Sequence, residues 1–128
     1  MSIRFAKYVF GISAAFGFLF LLPLYFAEGY VATESPPAIT HPEFYYGFIG
    51  VALVWQLVYF LIATDPVRYR PAMVLAGAAK FSLVATFLFL FLAQRVSVKT
   101  LAAAVPDFLM AVLFFACFFG TKNPAGTA

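Results

Sequence analysis

Charged residues are scarce in this chain, and their scarcity excludes most soluble folds. Only 10% of the 128 residues are Asp, Glu, Lys or Arg, against about 25% in a typical soluble domain. Eight basic and five acidic side chains cannot cover the surface of a 14.1 kDa globule. A soluble enzyme, a disordered segment and a nucleic-acid-binding domain are therefore all poor interpretations, and we expect no nucleic-acid partner.

Cysteine and histidine each occur once, as Cys117 and His41. A single cysteine excludes an internal disulfide and a cysteine-based metal cluster. One histidine among dispersed acids is far from a metal-ligand set, and it supplies one axial haem ligand at most. The sequence also lacks a Ser/His/Asp or Cys/His set for nucleophilic catalysis. We therefore expect no metal and no cofactor, and the sequence favours a non-enzymatic role without deciding it.

Long apolar runs are what the sequence has in abundance, since 65% of its residues are hydrophobic. A bilayer core about 30 Å thick needs roughly 20 apolar residues of α-helix. Four runs meet this length, and they are apolar on every side, which disfavours membrane strands. The first run is also longer than the usual core of a signal peptide. The sequence predicts an all-α integral membrane protein, a single antiparallel four-helix bundle with spans 8–27, 44–64, 72–94 and 101–120.

The short segments between the predicted spans indicate how the bundle is oriented. Five Lys or Arg residues fall in the two tails and the second connection: Arg4, Lys7, Arg68, Arg70 and Lys122. The first connection has three acids and no Lys or Arg, whereas the third has Arg95 and Lys99. The excess of positive charge on cytoplasmic loops predicts that both termini are cytoplasmic, with the third connection as the exception. The second and third connections are short enough to make their flanking helices antiparallel neighbours.

Three polar residues within the predicted spans are candidates for function, namely Gln56, Lys80 and Asp107. An ionisable group at membrane depth is costly, so it usually faces a bundle interior, a cavity or a partner. Span positions place Gln56 and Lys80 at similar depth, which makes a hydrogen bond between them plausible. Lys80 and Asp107 are separated by about 10 Å along the membrane normal and lean apart, so no salt bridge is expected. The candidate ligand-pocket residues are Gln56, Trp55, Tyr59, Lys80 and Asp107.

Three of these residues also have a purely structural interpretation. Lys80 can extend its ammonium toward the cytoplasmic interface near Asp65. Asp107, after Pro106, can begin the fourth helix deeper in the membrane, where an acid suits the helix dipole. Trp55 can pack between helices instead of lining a cavity. The sequence leaves these alternatives open.

The second connection, DPVRYRP at residues 65–71, is the densest polar cluster. Asp65 can cap a turn whose first position is Pro66, and its carboxylate can pair with Arg68. Arg68 and Arg70 can also hold lipid phosphates. A turn that only signals orientation explains the cluster equally well. Residues 87–92, FLFLFL, are apolar all round and predict contact with lipid or with another subunit.

Four segments together resemble one family of small membrane proteins. They are HPEFYYGFIGVALVWQ at residues 41–56, DPVRYRP at residues 65–71, Lys80 in the third span, and DFLMAVLF at residues 107–114. The chain resembles the DoxX-like four-span proteins of bacteria, although Ala79 stands where an acid often precedes the lysine. The resemblance implies a four-helix bundle in the bacterial inner membrane. Some members of that family are accessory subunits of quinol-linked oxidoreductases, whereas similar four-span folds include sterol-isomerase-like and ligand-binding proteins.

Two functional hypotheses follow from these patterns. In the first, the protein is an accessory or structural subunit of a larger membrane complex, a quinol-linked redox complex among the candidates, or a homo-oligomer. In the second, an intramembrane polar pocket binds a lipid-, quinone- or sterol-like molecule, with isomerase-type chemistry as one use of it. Both hypotheses make membrane lipids a partner of the protein.

Overall fold

The computed structural model describes residues 3–121, and every regular element in that range is helical. The first helix, α1 (Ile3–Leu21), continues into a short 3₁₀ helix, Leu22–Phe26, and two further helices are too short to cross a membrane. Four helical stretches are long and apolar enough to do so: Ile3–Phe26, Pro42–Thr64, Arg70–Leu92 and Val98–Gly120. The helices are α1 (Ile3–Leu21), α2 (Glu28–Glu34), α3 (Pro42–Thr64), α4 (Arg70–Leu92), α5 (Val98–Ala102) and α6 (Val105–Gly120). The prediction of an all-α membrane bundle is confirmed, and this is a multi-pass membrane protein.

Prolines set where several of the helices begin. One of the first two positions is a proline in each of α3, α4 and α6, namely Pro42, Pro71 and Pro106 respectively. Proline suits these positions because its fixed φ is already helical and the amide it lacks would have no partner there. Helix α4 accordingly begins at Arg70 and ends at Leu92, two residues earlier at each end than the predicted span 72–94. The fourth span begins at Val98 rather than residue 101, and it is interrupted before Val105.

The bundle is built from two antiparallel helix pairs. Helix α1 packs chiefly on α3, and α4 packs chiefly on α6, while lesser contacts between α3 and α4 and between α1 and α6 join the pairs. Three aromatic rings fill the centre: Phe10 stacks on Phe114 at 4.3 Å between centroids, and Tyr59 lies 5.0 Å from Phe114. The four long helices thus share one apolar core.

The outer surface of the bundle is almost entirely apolar. Large hydrophobic side chains such as Leu19, Phe26 and Phe89 are more than 70% exposed. In water such a surface would drive aggregation, whereas lipid chains are its natural solvent. The exposed hydrophobic residues therefore mark the lipid-facing surface of the protein.

The two ends of the bundle differ in structure. One end, here called the termini end, holds the start of α1, the connection from α3 to α4 and the end of α6. The opposite end, here called the loop end, holds α2 and the connections on either side of it, together with the α4–α5 connection. At the loop end the Tyr45 hydroxyl donates to the Leu24 carbonyl at 2.6 Å, and the Tyr46 hydroxyl donates to Glu28 Oε1 at 2.8 Å. These bonds tie the 3₁₀ helix and α2 to the start of α3.

Candidate functional site

An ion pair joins α4 to α6 in the membrane-spanning part of the bundle. Lys80 Nζ donates to Asp107 Oδ1 at 2.5 Å. The Lys80 side chain is 15% exposed and that of Asp107 is 25% exposed, so the pair is largely enclosed but open on the carboxylate side. The expectation that these two residues diverge was therefore wrong, and the structural alternative in which Lys80 extends toward Asp65 is not adopted.

The register of the two helices explains the error. At the termini end, Arg70 Nε donates to the Phe118 carbonyl at 2.9 Å, which fixes α4 against α6. Lys80 lies ten residues beyond Arg70 and Asp107 lies eleven residues before Phe118, distances of about 15 Å and about 16 Å along the helix axes. The two side chains are thus nearly level. The apolar runs alone had placed the centres of both spans too late in the sequence, because the helices begin at Arg70 and Val98. Lys80 and Asp107 were therefore assigned depths that lie too far apart.

The interruption of the fourth span places Asp107 at the start of a helix. Ala103 and Ala104 form a turn between α5 and α6. After this turn, the Phe108 amide donates to the Ala104 carbonyl at 3.0 Å. Pro106 has no amide hydrogen, so an unbroken helix through this point would lack a bond. Asp107 consequently lies in the first turn of α6, where the helix dipole favours an acid. The alternative that Asp107 begins a helix deeper in the membrane is correct in this respect.

Aromatic rings form one wall beside the ion pair. The Lys80 ammonium lies 5.5 Å from the centroid of the Tyr59 ring, within the range of a cation–π contact. Trp55 lies one turn before Tyr59 on α3, and the centroids of the two rings are 6.2 Å apart. Tyr59 is buried and Trp55 is partly buried against the core. Four of the five candidate pocket residues therefore lie in one region of the bundle.

Gln56, the fifth candidate, faces a different helix. Its Nε2 donates to the Ala52 carbonyl at 2.8 Å on the same helix, and the side chain lies against Gly17 of α1. Its Oε1 is buried and has no hydrogen-bond partner among the residues that the structure describes. The expected hydrogen bond between Gln56 and Lys80 is therefore wrong. The physical reason is that the principal neighbour of α3 is α1, whereas the prediction had used the connection to α4 to choose the neighbour.

The second connection has a more closed geometry than its sequence indicated. Asp65 Oδ1 accepts the Arg68 amide at 3.2 Å, so Asp65 caps the turn at Pro66 as predicted, and it contacts the backbone of Arg68 in place of the expected guanidinium. The Arg70 guanidinium stacks 3.9 Å from the Phe118 ring centroid while bonding the Phe118 carbonyl. Arg70 thus stabilises the C-terminal end of α6, where a cation suits the helix dipole. Of the two arginines in this connection, Arg68 is the exposed one and is free of the Phe118 contact that holds Arg70.

Sequence reasoning missed the Arg70–Phe118 contact altogether. The signal that would have revealed it is positional, since a cation at the start of one span lies level with the last carbonyls of an antiparallel neighbour. At the loop end His41 Nδ1 and Glu43 Oε1 are 3.2 Å apart and exposed. Across residues 3–121, no three His, Cys, Asp or Glu side chains come together as a metal site would require.

Comparison with known proteins adds no relative. No protein-family model, curated protein or solved structure matches the chain. The resemblance to DoxX-like proteins accordingly stays an expectation from its four segments.

Proposed function

We propose that this protein is a non-enzymatic subunit that packs against another membrane helix through one face of α4. The observation that carries the proposal is a strip of small residues on that face, here called the α4 back face: Ala78, Ser82, Ala85 and Thr86, all exposed. At about 100° per residue they lie within an arc of about 100°, directly opposite Lys80. The ion pair and the α4 back face thus occupy opposite sides of one helix.

Small residues matter here because helices in lipid associate by close backbone approach and not by hydrophobic exclusion of water. On the α4 back face the Ser82 hydroxyl donates to the Ala79 carbonyl and the Thr86 hydroxyl to the Ser82 carbonyl, each at 2.8 Å. Both hydroxyls are therefore satisfied within the helix. A partner helix can approach this strip without leaving a polar group unpaired in hydrocarbon.

The way α4 packs within the chain supports the same proposal. Its buried residues are Met73, Ala76 and Gly77, all in the half nearer the termini end. The half that contains FLFLFL buries none of its residues within the chain, and Leu88, Phe89 and Leu92 are exposed. The α4 back face and this apolar half together offer a continuous surface for a neighbouring subunit.

The Lys80–Asp107 pair fits a structural role in such a subunit. The two charges offset each other, and their contact holds α4 to α6 at a depth where the surrounding lipid chains offer neither charge a polar partner. Removing one member would strand the other, whereas the intact pair needs no substrate or cofactor to be stable.

The identity of the assembly rests on the sequence. The resemblance to DoxX-like proteins makes a quinol-linked oxidoreductase of the bacterial inner membrane the first complex to test, with a second copy of this chain as the other candidate. Five Lys or Arg residues lie in the predicted cytoplasmic segments and two in the opposite ones. This distribution favours cytoplasmic termini.

One observation favours a second function, the binding of a lipid-, quinone- or sterol-like molecule. The Asp107 side chain remains a quarter exposed at membrane depth, and bare carboxylate surface in hydrocarbon is unfavourable. A hydroxyl group of such a ligand would donate a hydrogen bond to the carboxylate, and a carbonyl group would accept one from Lys80 beside it.

Native mass spectrometry of the detergent-extracted protein separates these two functions. The subunit proposal expects a stoichiometric larger assembly. This assembly should be lost in the Ser82→Leu and Ala78→Leu variants, because the larger side chains prevent close approach of the partner helix. It should be retained in the control variant Ala15→Leu, since Ala15 is an exposed residue of α1. A lone chain carrying one small molecule, lost in Asp107→Asn, would contradict the proposal and establish the second function. An assembly that survives both α4 changes would also overturn the stated interface.

A further inference from the structure

The connection between α4 and α5 borders a cleft at the loop end. The cleft has a volume of about 390 Å³, and α2 contributes its opposite wall. Its lining includes two basic side chains, one carboxylate and three hydroxyl groups: Arg95, Lys99, Glu34, Ser35, Ser97 and Thr100. Positive charge therefore exceeds negative charge in the cleft.

The backbone places the two basic residues in the cleft by a sharp turn after α4. Gln94 adopts a left-handed conformation with φ of 60°. Its amide donates to the Phe91 carbonyl at 2.9 Å, and the Arg95 amide donates to the Leu90 carbonyl at 2.8 Å. This pair of bonds is the Schellman pattern that ends many helices. The chain then enters α5, and Lys99 lies in the first turn of that helix. Ser97 caps this turn, since its Oγ accepts a hydrogen bond from the Thr100 amide at 3.2 Å.

Neither basic side chain is strongly engaged by the protein. Lys99 Nζ lies 3.8 Å from Glu34 Oε2, and its side chain is 78% exposed, so this surface ion pair contributes little to stability. Within the described residues 3–121, the Arg95 guanidinium forms no ion pair. Both residues also lie on the side that the charge distribution makes non-cytoplasmic, where cations are normally sparse. Orientation therefore does not account for their position.

A second cleft adjoins the first and has a different character. Its volume is about 420 Å³, and it shares Val96 and Ser97 with the first. Phe91, Leu92 and Val98 contribute apolar surface to it, and Leu92 and Val98 are 70% and 68% exposed. The first cleft, here called the polar cleft because it holds both cations, lies directly beside the second at the end of a membrane-spanning helix. The second is here called the apolar cleft because most of its lining side chains are apolar.

We propose that these clefts bind one membrane phospholipid, with its phosphate held by Arg95 and Lys99 and its glycerol and upper acyl chains against the adjoining apolar cleft. Guanidinium and ammonium groups form charge-assisted hydrogen bonds with phosphate oxygens. The Ser97 and Thr100 hydroxyls line the same cleft and are hydrogen-bonded to each other at 3.3 Å, which leaves one hydroxyl hydrogen of the two to donate to the phosphate. A free phosphate ion would use the polar cleft only, whereas a phospholipid fills both. This inference does not depend on the proposed subunit role.

The test combines a charge-neutral double variant with a matched control. The protein is reconstituted in nanodiscs of mixed phosphatidylethanolamine and phosphatidylglycerol, extracted in mild detergent and examined by native mass spectrometry. We expect the unaltered chain to retain one phospholipid, and R95Q/K99Q to lower the retained fraction about tenfold, because two charge-assisted bonds are lost. The control R4Q/K7Q removes the same charge at the termini end and should retain the lipid. Glu34→Gln should raise retention, since it frees Lys99 from its carboxylate partner.

A second measurement distinguishes a lipid from a small anion. Inorganic phosphate and glycerol 3-phosphate are titrated against the detergent-solubilised protein, and lipid retention is followed. We expect neither to displace the phospholipid at millimolar concentration, because neither contacts the apolar cleft. Displacement by inorganic phosphate would overturn the lipid assignment. Equal retention by R95Q/K99Q and the unaltered chain, or equal loss in the R4Q/K7Q control, would overturn the site itself.

Discussion

The α1–α3 pair and the α4–α6 pair achieve close helix contact with different side chains. Between α1 and α3, the Gln56 amide lies over Gly17, and a Cβ at that glycine would collide with Gln56 Oε1. Between α4 and α6, the Phe115 ring lies over Gly77, where a Cβ would fall 2.6 Å from Phe115 Cε2, and the Lys80–Asp107 ion pair lies one turn away. The first pair is thus specified by shape around a neutral polar group, and the second by charge together with shape.

This difference shows what membrane helices can use in place of the hydrophobic effect. Lipid chains are as apolar as leucine, so only close packing, hydrogen bonds and ion pairs favour one helix neighbour over another. A glycine makes room for the partner side chain in both pairs. The charge pair adds a requirement that both members be present, which the neutral pair does not have.

The largest expected effect comes from removing one charge of the second pair. Lys80→Met leaves the Asp107 carboxylate at membrane depth without its cation, and we expect a loss of about 3 kcal/mol in the free energy of unfolding. Membrane insertion should remain intact, because the span becomes more apolar. Thermal unfolding in mild detergent measures the loss, with the exposed apolar change Leu88→Met as the control. A melting temperature equal to that of the control would mean that the ion pair does not hold α4 to α6.

The glycine of the first pair offers the next largest effect. Gly17→Ala forces the buried Gln56 side chain aside, and overpacking of this kind destabilises by about 2 kcal/mol. Gly47→Ala is the matched control, since its Cβ would meet nothing within 4 Å, and an alanine within a helix stabilises by roughly 0.5–1 kcal/mol. The two variants should therefore shift the melting temperature in opposite directions. Shifts of the same sign would show that Gln56 does not pack as described.

The hydrogen bond that ties the 3₁₀ helix to α3 tests whether the first pair depends on polar contacts at its loop end. Tyr45→Phe removes the bond from the hydroxyl to the Leu24 carbonyl, and we expect a loss of about 1 kcal/mol. Tyr30→Phe is a suitable control, because Tyr30 is exposed. Amide hydrogen exchange at residues 22–28 should become faster in the Tyr45 variant alone. If exchange at residues 22–28 is unchanged in the Tyr45 variant, packing and not this hydrogen bond holds the 3₁₀ helix in place.

The smallest expected effect is a gain at the end of α4. Gln94 occupies the left-handed position that glycine normally takes in a Schellman ending. Gln94→Gly should therefore stabilise the protein by up to about 1 kcal/mol, offset in part by the greater freedom of glycine in the unfolded chain. A marked loss of stability would indicate that the Gln94 side chain contributes contacts of its own.

The sequence predicted the architecture well because the membrane imposes it. Four runs of about 20 apolar residues satisfy the thickness of a bilayer, and no other fold suits them. The two intramembrane ionisable residues, Lys80 and Asp107, were identifiable for the same reason, since such groups are rare at that depth. The short connections likewise made α3 and α4 antiparallel neighbours, and the two helices do contact each other.

The pairing of those residues could not be predicted from the apolar runs. It depends on a register shift of a few residues that arises where Arg70, Val98 and Pro106 begin or interrupt helices. The direction in which Gln56 points depends on α1 and α3 being principal neighbours across a long connection, which no local pattern encodes. Gly17 was visible as a small residue, but the side chain it accommodates was not.

A double-mutant cycle on Lys80 and Asp107 tests the account most directly. The unfolding free energies of Lys80→Met, Asp107→Leu and the double variant are compared with that of the unaltered chain in one detergent. If the two charges hold α4 to α6, each single change destabilises, and the double variant lies within about 1 kcal/mol of the unaltered protein, because no charge is left stranded. Single losses that simply add in the double variant, within about 0.5 kcal/mol, would contradict the account.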